Sequence, residues 1–254
     1  MAIVTRIAAV SYLNTVPFIY GLKHEGNLDA ELLLAPPADC VENYISGKAD
    51  IALLPAAAVP SLAATETVTD YCIGASGPVR TVVLVSNTPL KEVRRVFLDP
   101  HSRTSVQLTG YLAAHLWKIS PEWYTLDYAQ LEHPAEGDAY LLIGDKVFEW
   151  EGRFAFTLDL AAEWMRLTRL PFAFAVWVAR KGTPYEVVDA LQRSLTFGVE
   201  RIYEAVVAEG YADRDYAYDY LTRNIDYLFD EQKHKALQKF WSAGLKISPR
   251  VNPG

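Results

Sequence analysis

Apolar residues fall along this chain in short continuous runs separated by polar clusters. Ile7 to Val10 is the first such run, and Ile3 to Val10 reads as a buried strand. It stops at Ser11-Tyr12-Leu13-Asn14-Thr15, and a helix-like pattern follows from about Pro17. Ala30 to Ala35, with Leu32, Leu33 and Leu34 in succession, is a second strand that Pro36-Pro37 breaks. Asp39 is placed to cap a helix through Val41, Tyr44 and Ile45, which Gly47 stops. Ala49 to Pro55 is a third strand, and Ala56 to Ala64 reads as a short helix. Continuous apolar strands are buried on both faces, which favours a parallel sheet, and their alternation with helices is a βαβ succession. Thr67 to Ile73 and Val79 to Val85 alternate in the β manner, with Gly74, Gly77 and Pro78 between them and Arg80 and Thr81 near a bend.

A second βα succession begins after Leu90. Arg95 to Leu98 is a strand, and Asp99-Pro100-His101-Ser102-Arg103-Thr104-Ser105 is the second polar cluster. The helix after it runs from Val106 to Ile119, capped by Ser102, Thr104 or Ser105. Trp123 to Leu126, Ala139 to Gly144 and Phe154 to Leu158 are further strands, and Asp159 caps a helix through Trp164 and Leu167. Pro171 to Val178 is another apolar strand, and everything after Thr183 looks helical. The predicted class is therefore α/β, with two halves joined by two crossing segments. Residues 1–83 and 178–254 form one lobe and 84–177 the other, so that the chain starts and ends in the same lobe. This is a hinge-bent, two-lobed binding fold in which the two polar clusters face a central cleft.

Composition narrows the function. The 254 residues are 51% hydrophobic and carry a net charge of -7. No basic face is evident, which argues against nucleic acid and anionic membranes as partners. Cys40 and Cys72 are isolated thiols, as in a reducing compartment. The first residues show no signal peptide, and no stretch is long enough to span a bilayer, so the expected location is cytoplasmic. The five histidines have no HxxxH or HExxH spacing, and GxGxxG, GxxxxGK[ST] and GxSxG are all absent.

The candidate chemistry lies in the polar clusters. In open α/β sheets ligands bind beyond the carboxyl ends of strands. Ser11 and Asn14 stand there, either as holders of an anionic or oxygen-rich molecule or as ordinary helix caps. Arg103 offers a charged fork suited to a carboxylate, Thr104 and Ser105 offer hydroxyls, and the helix start adds backbone N–H groups. The alternative is a capped helix with a solvated Arg103. Asp145 is a helix cap or a cleft acid, and Gly144 before it permits close backbone approach.

Taken together, several stretches resemble chorismate dehydratase of the futalosine route to menaquinone. They are Ser11-Tyr12-Leu13-Asn14-Thr15-Val16-Pro17, Asp50 to Pro55, Gly77-Pro78-Val79-Arg80-Thr81-Val82, Ser102-Arg103-Thr104-Ser105, Leu142-Ile143-Gly144-Asp145 and Leu170 to Trp177. The resemblance runs to about Arg180. It implies a type II periplasmic-binding-protein-like fold used as a hydro-lyase, converting chorismate to 3-[(1-carboxyvinyl)oxy]benzoate with loss of water. It implies no metal and no organic cofactor and a small dicarboxylate as partner; the expected assembly is a monomer or homodimer. A sister enzyme of the route, acting on a cyclic futalosine derivative, typically carries a Ser-Pro-Cys-Pro-Asn-Asp type stretch near the N-terminus, unlike Ser11 to Thr15 here. The expected catalytic residues are Asn14 and Asp145; the expected binding residues are Ser11, Tyr12, Pro55, Thr81, Arg103, Thr104, Ser105 and Gly144. Ser11, Asn14 and Thr81 are expected from the first lobe, and Arg103, Thr104 and Ser105 from the second. An amide is no general base, so the proton goes to a substrate carboxylate or to Asp145. The competing classes are a non-catalytic solute-binding protein of the same fold, and a dehydratase acting on prephenate, for which no Thr-Arg-Phe signature is present.

Overall fold

The structure is a computed structural model that describes residues 4–26, 28–244 and 246–251. The chain forms two compact units, Met1–Ala75 with Ala173–Glu231 and Ser76–Phe172 with Gln232–Gly254. In chain order the first unit contributes β1 (Thr5–Val10), α1 (Val16–His24), β2 (Ala30–Ala35), α2 (Pro37–Ile45), β3 (Ile51–Pro55) and β4 (Thr65–Ala75). Ile3, the expected start of the first strand, lies outside the described residues. The second unit follows with β5 (Val82–Ser86), β6 (Arg95–Leu98), α3 (Thr104–Leu112), β7 (Glu122–Thr125), β8 (Asp138–Ile143), α4 (Val147–Trp150), β9 (Phe156–Asp159) and α5 (Leu160–Thr168). β10 (Phe172–Arg180) returns the chain to the first sheet, followed by α6 (Tyr185–Val199), α7 (Ile202–Ala208), α8 (Arg214–Arg223) and β11 (Asp226–Leu228). The last helix is α9 (Glu231–Ser242).

Among the described residues the first sheet has the order β11-β4-β10-β3-β1-β2. β1 runs parallel to both β2 and β3, and β10 runs antiparallel to β3. The continuous apolar runs explain the interior: β3 is buried at every position. β2, at the sheet edge, is only half-buried. Chain order passes from β1 outward to β2 and then back across to β3. The strand order therefore reverses beside β1, the kind of switch point at which α/β sheets bind ligands. Helices α1 and α6 cross so closely that a Cβ on Gly21 would lie 1.9 Å from the Ser194 carbonyl oxygen, and one on Gly198 1.8 Å from that of Pro17. Only glycine fits on either side of that crossing.

The second sheet has the order β7-β6-β8-β5-β9. β6 is parallel to β7 and β8, while β5 is antiparallel to β8 and β9. β5 and β8 are buried throughout. One face carries Val83, Val85, Phe97, Tyr140 and Leu142, packed with Leu126, Leu131 and Val147.

Several expectations change. The crossings fall at Ala75 and Phe172, so residues 76–83, including Thr81, belong to the second unit rather than the first. The chain does not end in the unit where it began: α9 packs into the second unit, where Phe240 meets Phe172 edge-on at 5.3 Å and Trp164 at 6.2 Å. The region after Thr183 is not all helix, because β11 adds an antiparallel strand beside β4. Ala56 to Ala64 contracts to a 3-10 turn at Val59–Ser61, since Pro60 disrupts a longer helix and Ala64 is left-handed at φ 50. α2 starts one turn's reach earlier than expected: Pro36 holds the N-cap position and Asp39 lies in the first turn. There its charge complements the helix dipole without capping. Among the described residues no helix is long and apolar enough to cross a membrane.

Candidate functional site

In the first unit, β1 delivers the chain from a buried Val10 to an exposed Ser11 and a half-buried Tyr12. A 3-10 turn at Leu13–Thr15 then leads straight into α1. Neither Ser11 nor Asn14 caps it: the N-cap positions of the turn and of α1 fall on Tyr12 and Thr15, and neither makes a side-chain cap. The corner is closed from inside. The fully buried Thr15 hydroxyl is shared between the carbonyls of Val10 at 2.5 Å and Tyr12 at 2.7 Å. The Tyr227 hydroxyl donates to the Asn14 carbonyl at 2.9 Å. Burial, and secondarily the neighbouring Tyr220, holds the Tyr227 phenol well above its ordinary range, so it remains a donor.

Register places Pro55 in the same neighbourhood. Ile7 lies opposite Ile51 and Ala8 opposite Ala52, so Ser11 falls level with Pro55 beyond the carboxyl ends of two adjacent parallel strands. Pro55 itself pairs with Ala175 of β10, and Ala56 N–H donates to the Phe174 carbonyl at 2.9 Å. The structure thus brings Ser11, Tyr12, Asn14 and Pro55 to one sheet edge, at the switch point beside β1.

In the second unit, the loop after β6 carries the other cluster. Asp99 is buried and organises it, accepting the His101 N–H at 2.8 Å and the Tyr128 hydroxyl. Of the three candidate caps for α3 it is Ser102 that serves, taking the Ser105 N–H at 3.1 Å. Arg103 is exposed at the helix start, whereas Thr104 and Ser105 are buried. Thr81 and Gly144 meet across the β5–β8 ladder, where Gly144 N–H donates to the Thr81 carbonyl at 2.9 Å. Gly144 is left-handed at φ 69, which turns the half-buried Asp145 away from the strand line. The N-cap position of α4 falls on Lys146, one residue after Asp145. Because β6 and β8 are parallel, the Arg103 loop and the Gly144-Asp145 turn leave the same edge of this sheet.

Asp159 caps α5 as expected, accepting N–H groups of Ala161 and Ala162 at 3.0 Å each. It also takes the Arg80 N–H at 2.7 Å, which holds Arg80 left-handed at φ 64 immediately before Thr81. Burial pushes the Asp159 carboxyl up, against these N–H donors, which pull it down. The Arg80 guanidinium pairs with Glu151 at 2.9 Å. A cavity of about 210 Å³ lies alongside, walled by Val83, Leu142, Val147 and Trp150 with Arg80, Glu151 and Asp159 at its polar side.

Sequence reasoning left Asp99 without a role and did not see Tyr128, Lys146 or Tyr227. Lys146 stacks its ammonium 4.0 Å from the centre of the Tyr128 ring, beside Asp145 in sequence. Asp99 was legible as a polar residue at a strand end; Tyr227 gave no signal within an apparent helix. Among the described residues, no three His, Cys, Asp or Glu side chains gather to hold a metal ion.

Two open α/β sheets with polar loops at their carboxyl edges define a periplasmic-binding-protein-like fold. Solved structures agree. A protein of Archaeoglobus fulgidus superposes with a TM-score of 0.71 at 17% identity, over 93% of this chain and 95% of that one. A Candida albicans gene product described as exhibiting the generic periplasmic binding protein fold gives 0.63 at 12% identity, over 97% and 92%. The periplasmic aliphatic sulphonate binding protein SsuA of Escherichia coli gives 0.59 at 13%, over 96% and 94%. The chain belongs to the menaquinone biosynthesis family, whose model matches residues 5–245. That match extends through the helical tail, beyond the Arg180 limit of the resemblance seen in the sequence. A chorismate dehydratase of Thermus thermophilus is 28% identical over 267 residues, 95% of this chain and 96% of that protein.

Proposed function

We propose that this protein is a chorismate dehydratase, acting in the cytoplasm on a small dicarboxylate without metal or organic cofactor. The observation that carries this reading is the near full-length similarity to the Thermus thermophilus chorismate dehydratase within the menaquinone biosynthesis family. The edge clusters supply chemistry of the right kind. Chorismate carries two carboxylates and a ring hydroxyl. In the reaction a ring C–H bond breaks, its electron pair becomes a ring double bond, and the neighbouring C–O bond breaks with release of water. Aromatisation provides much of the driving force, so the protein has chiefly to orient the substrate and exclude solvent.

In this reading Arg103, Thr104 and Ser105 hold one carboxylate, with Thr81 and the Gly144 peptide beside them. Ser11, Tyr12, Asn14 and Pro55 contact the other end of the substrate, and the Asn14 amide hydrogen-bonds near the departing hydroxyl or the shifted carboxylate. The proton leaves for the substrate's own carboxylate or for Asp145. The test is to incubate the protein with chorismate and follow loss of its ultraviolet band. Consumption with one aromatic product supports the reading. Binding without consumption supports a solute-binding role, and consumption only of the cyclic futalosine derivative supports the sister activity.

A further inference from the structure

Tyr227 lies in β11, the strand added antiparallel to β4 at the edge of the first sheet, where Asp226 faces Gly74 and Leu228 faces Tyr71. Its ring is buried and meets Phe18 of α1 edge-on at 5.2 Å. Phe18 is in turn held by Trp177 at 5.7 Å and Tyr71 at 6.1 Å. These ring contacts serve packing alone. The hydroxyl does something separate: among the described residues its hydrogen bond is to the Asn14 carbonyl, at 2.9 Å.

We propose that Tyr227 is a positioning residue for Asn14, fixing through that hydrogen bond the direction in which the Asn14 side chain leaves its turn. The turn is a single 3-10 rotation of three residues, whose hydrogen-bond geometry is intrinsically poor. Holding the Asn14 carbonyl fixes the backbone torsion at Asn14, and with it the path of the turn from which the amide side chain leaves. Thr15 restrains the carbonyls of Val10 and Tyr12 but not that of Asn14, so the Tyr227 hydroxyl supplies the missing restraint. Burial holds the Tyr227 phenol above its ordinary range, which keeps it protonated and able to donate. The inference rests on the reading of Asn14 as the group that touches substrate.

The experiment compares Tyr227→Phe with Tyr71→Phe. The second variant removes another tyrosine hydroxyl bond, to the Thr196 hydroxyl at 3.0 Å, in the same aromatic cluster but away from Asn14. For Tyr227→Phe we expect kcat for chorismate to fall about 10- to 100-fold with KM nearly unchanged, since misplacement of about 1 Å has effects of that order. Tyr71→Phe keeps wild-type kcat. Both shift the unfolding temperature by a similar small amount. In parallel, the side-chain amide resonances of Asn14 shift and broaden in Tyr227→Phe and stay in place in Tyr71→Phe. Wild-type kcat in Tyr227→Phe, an equal loss in both variants, or unmoved Asn14 resonances overturn the proposal. A wild-type protein that leaves chorismate untouched overturns the dehydratase reading instead, and the Asn14 resonances then decide the positioning role alone.

Discussion

The two sheets end in loops of the same topological kind, yet the loops are held by opposite chemistry. At the edge of the first sheet, hydroxyl donors tie down backbone carbonyls: Thr15 on Val10 and Tyr12, Tyr227 on Asn14. At the edge of the second, oxygen acceptors tie down backbone N–H groups. Asp99 takes His101, Ser102 takes Ser105, and Asp159 takes Arg80, Ala161 and Ala162. The first corner is neutral and rests on groups that do not titrate near neutrality. The second is built from two carboxylates and a serine hydroxyl and carries Arg103, Lys146 and Asp145 on or beside it.

The comparison breaks hardest at Asn14. Asn14→Ala is expected to lower kcat about 10²- to 10³-fold, the scale for removing one preorganised donor, with an unchanged unfolding temperature. Steady-state kinetics and thermal unfolding check both halves. Next in size is the charged edge. Arg103→Ala is expected to reduce kcat/KM about 10- to 100-fold, mostly through KM, as loss of a charge-assisted hydrogen bond predicts. Arg103→Lys recovers only part of it, because an ammonium lacks the planar fork.

A third change addresses the frame of the first unit rather than its edge. Gly21→Ala puts a methyl 1.9 Å from the Ser194 carbonyl and forces α1 and α6 apart. Overpacking of this kind costs about 1–3 kcal/mol or more, readable by urea unfolding. Since α1 follows directly from the Asn14 turn, activity should fall as well.

The smallest effect is the pH dependence, and its sign differs between the units. Asp50 in the first unit is held below its ordinary value of 3.8 by the hydrogen bond from Arg6. Its contribution is present above that value and is lost as the pH falls through the lower, folded one. The pair is about two-fifths exposed, so the contribution is small. Asp159 in the second unit is raised above 3.8 by burial. Its contribution is fully present below 3.8 and is lost as the pH rises through the folded value. Urea unfolding across acid pH should therefore show opposite changes of slope for Asp50→Asn and Asp159→Asn relative to wild type. Equal signs would contradict the assignment.

What the sequence made legible follows the same division. The apolar stretches within β1, β3 and β8 located the sheets, because strands buried on both faces are apolar along most of their length. The clusters at Ser11–Thr15 and Ser102–Ser105 were legible because polar residues directly after such strands have few other reasons to be there. The Asp159 cap was legible because capping is local. β11 was not, since a strand of three residues, Asp226–Leu228, is too short to display alternation. The side on which α9 packs was not, because it depends on Phe240 finding Trp164 and Phe172, residues remote in sequence. Tyr227 and the left-handed Arg80 were hidden for the same reason: each matters through one hydrogen bond to a distant partner.

Proton NMR of chorismate mixed with the wild-type protein is the most direct measurement. The account predicts that the ring diene signals give way to those of a meta-substituted benzoate while the enolpyruvyl vinyl pair persists, with no added metal or cofactor. Chorismate signals that remain unchanged in the presence of folded protein would contradict it.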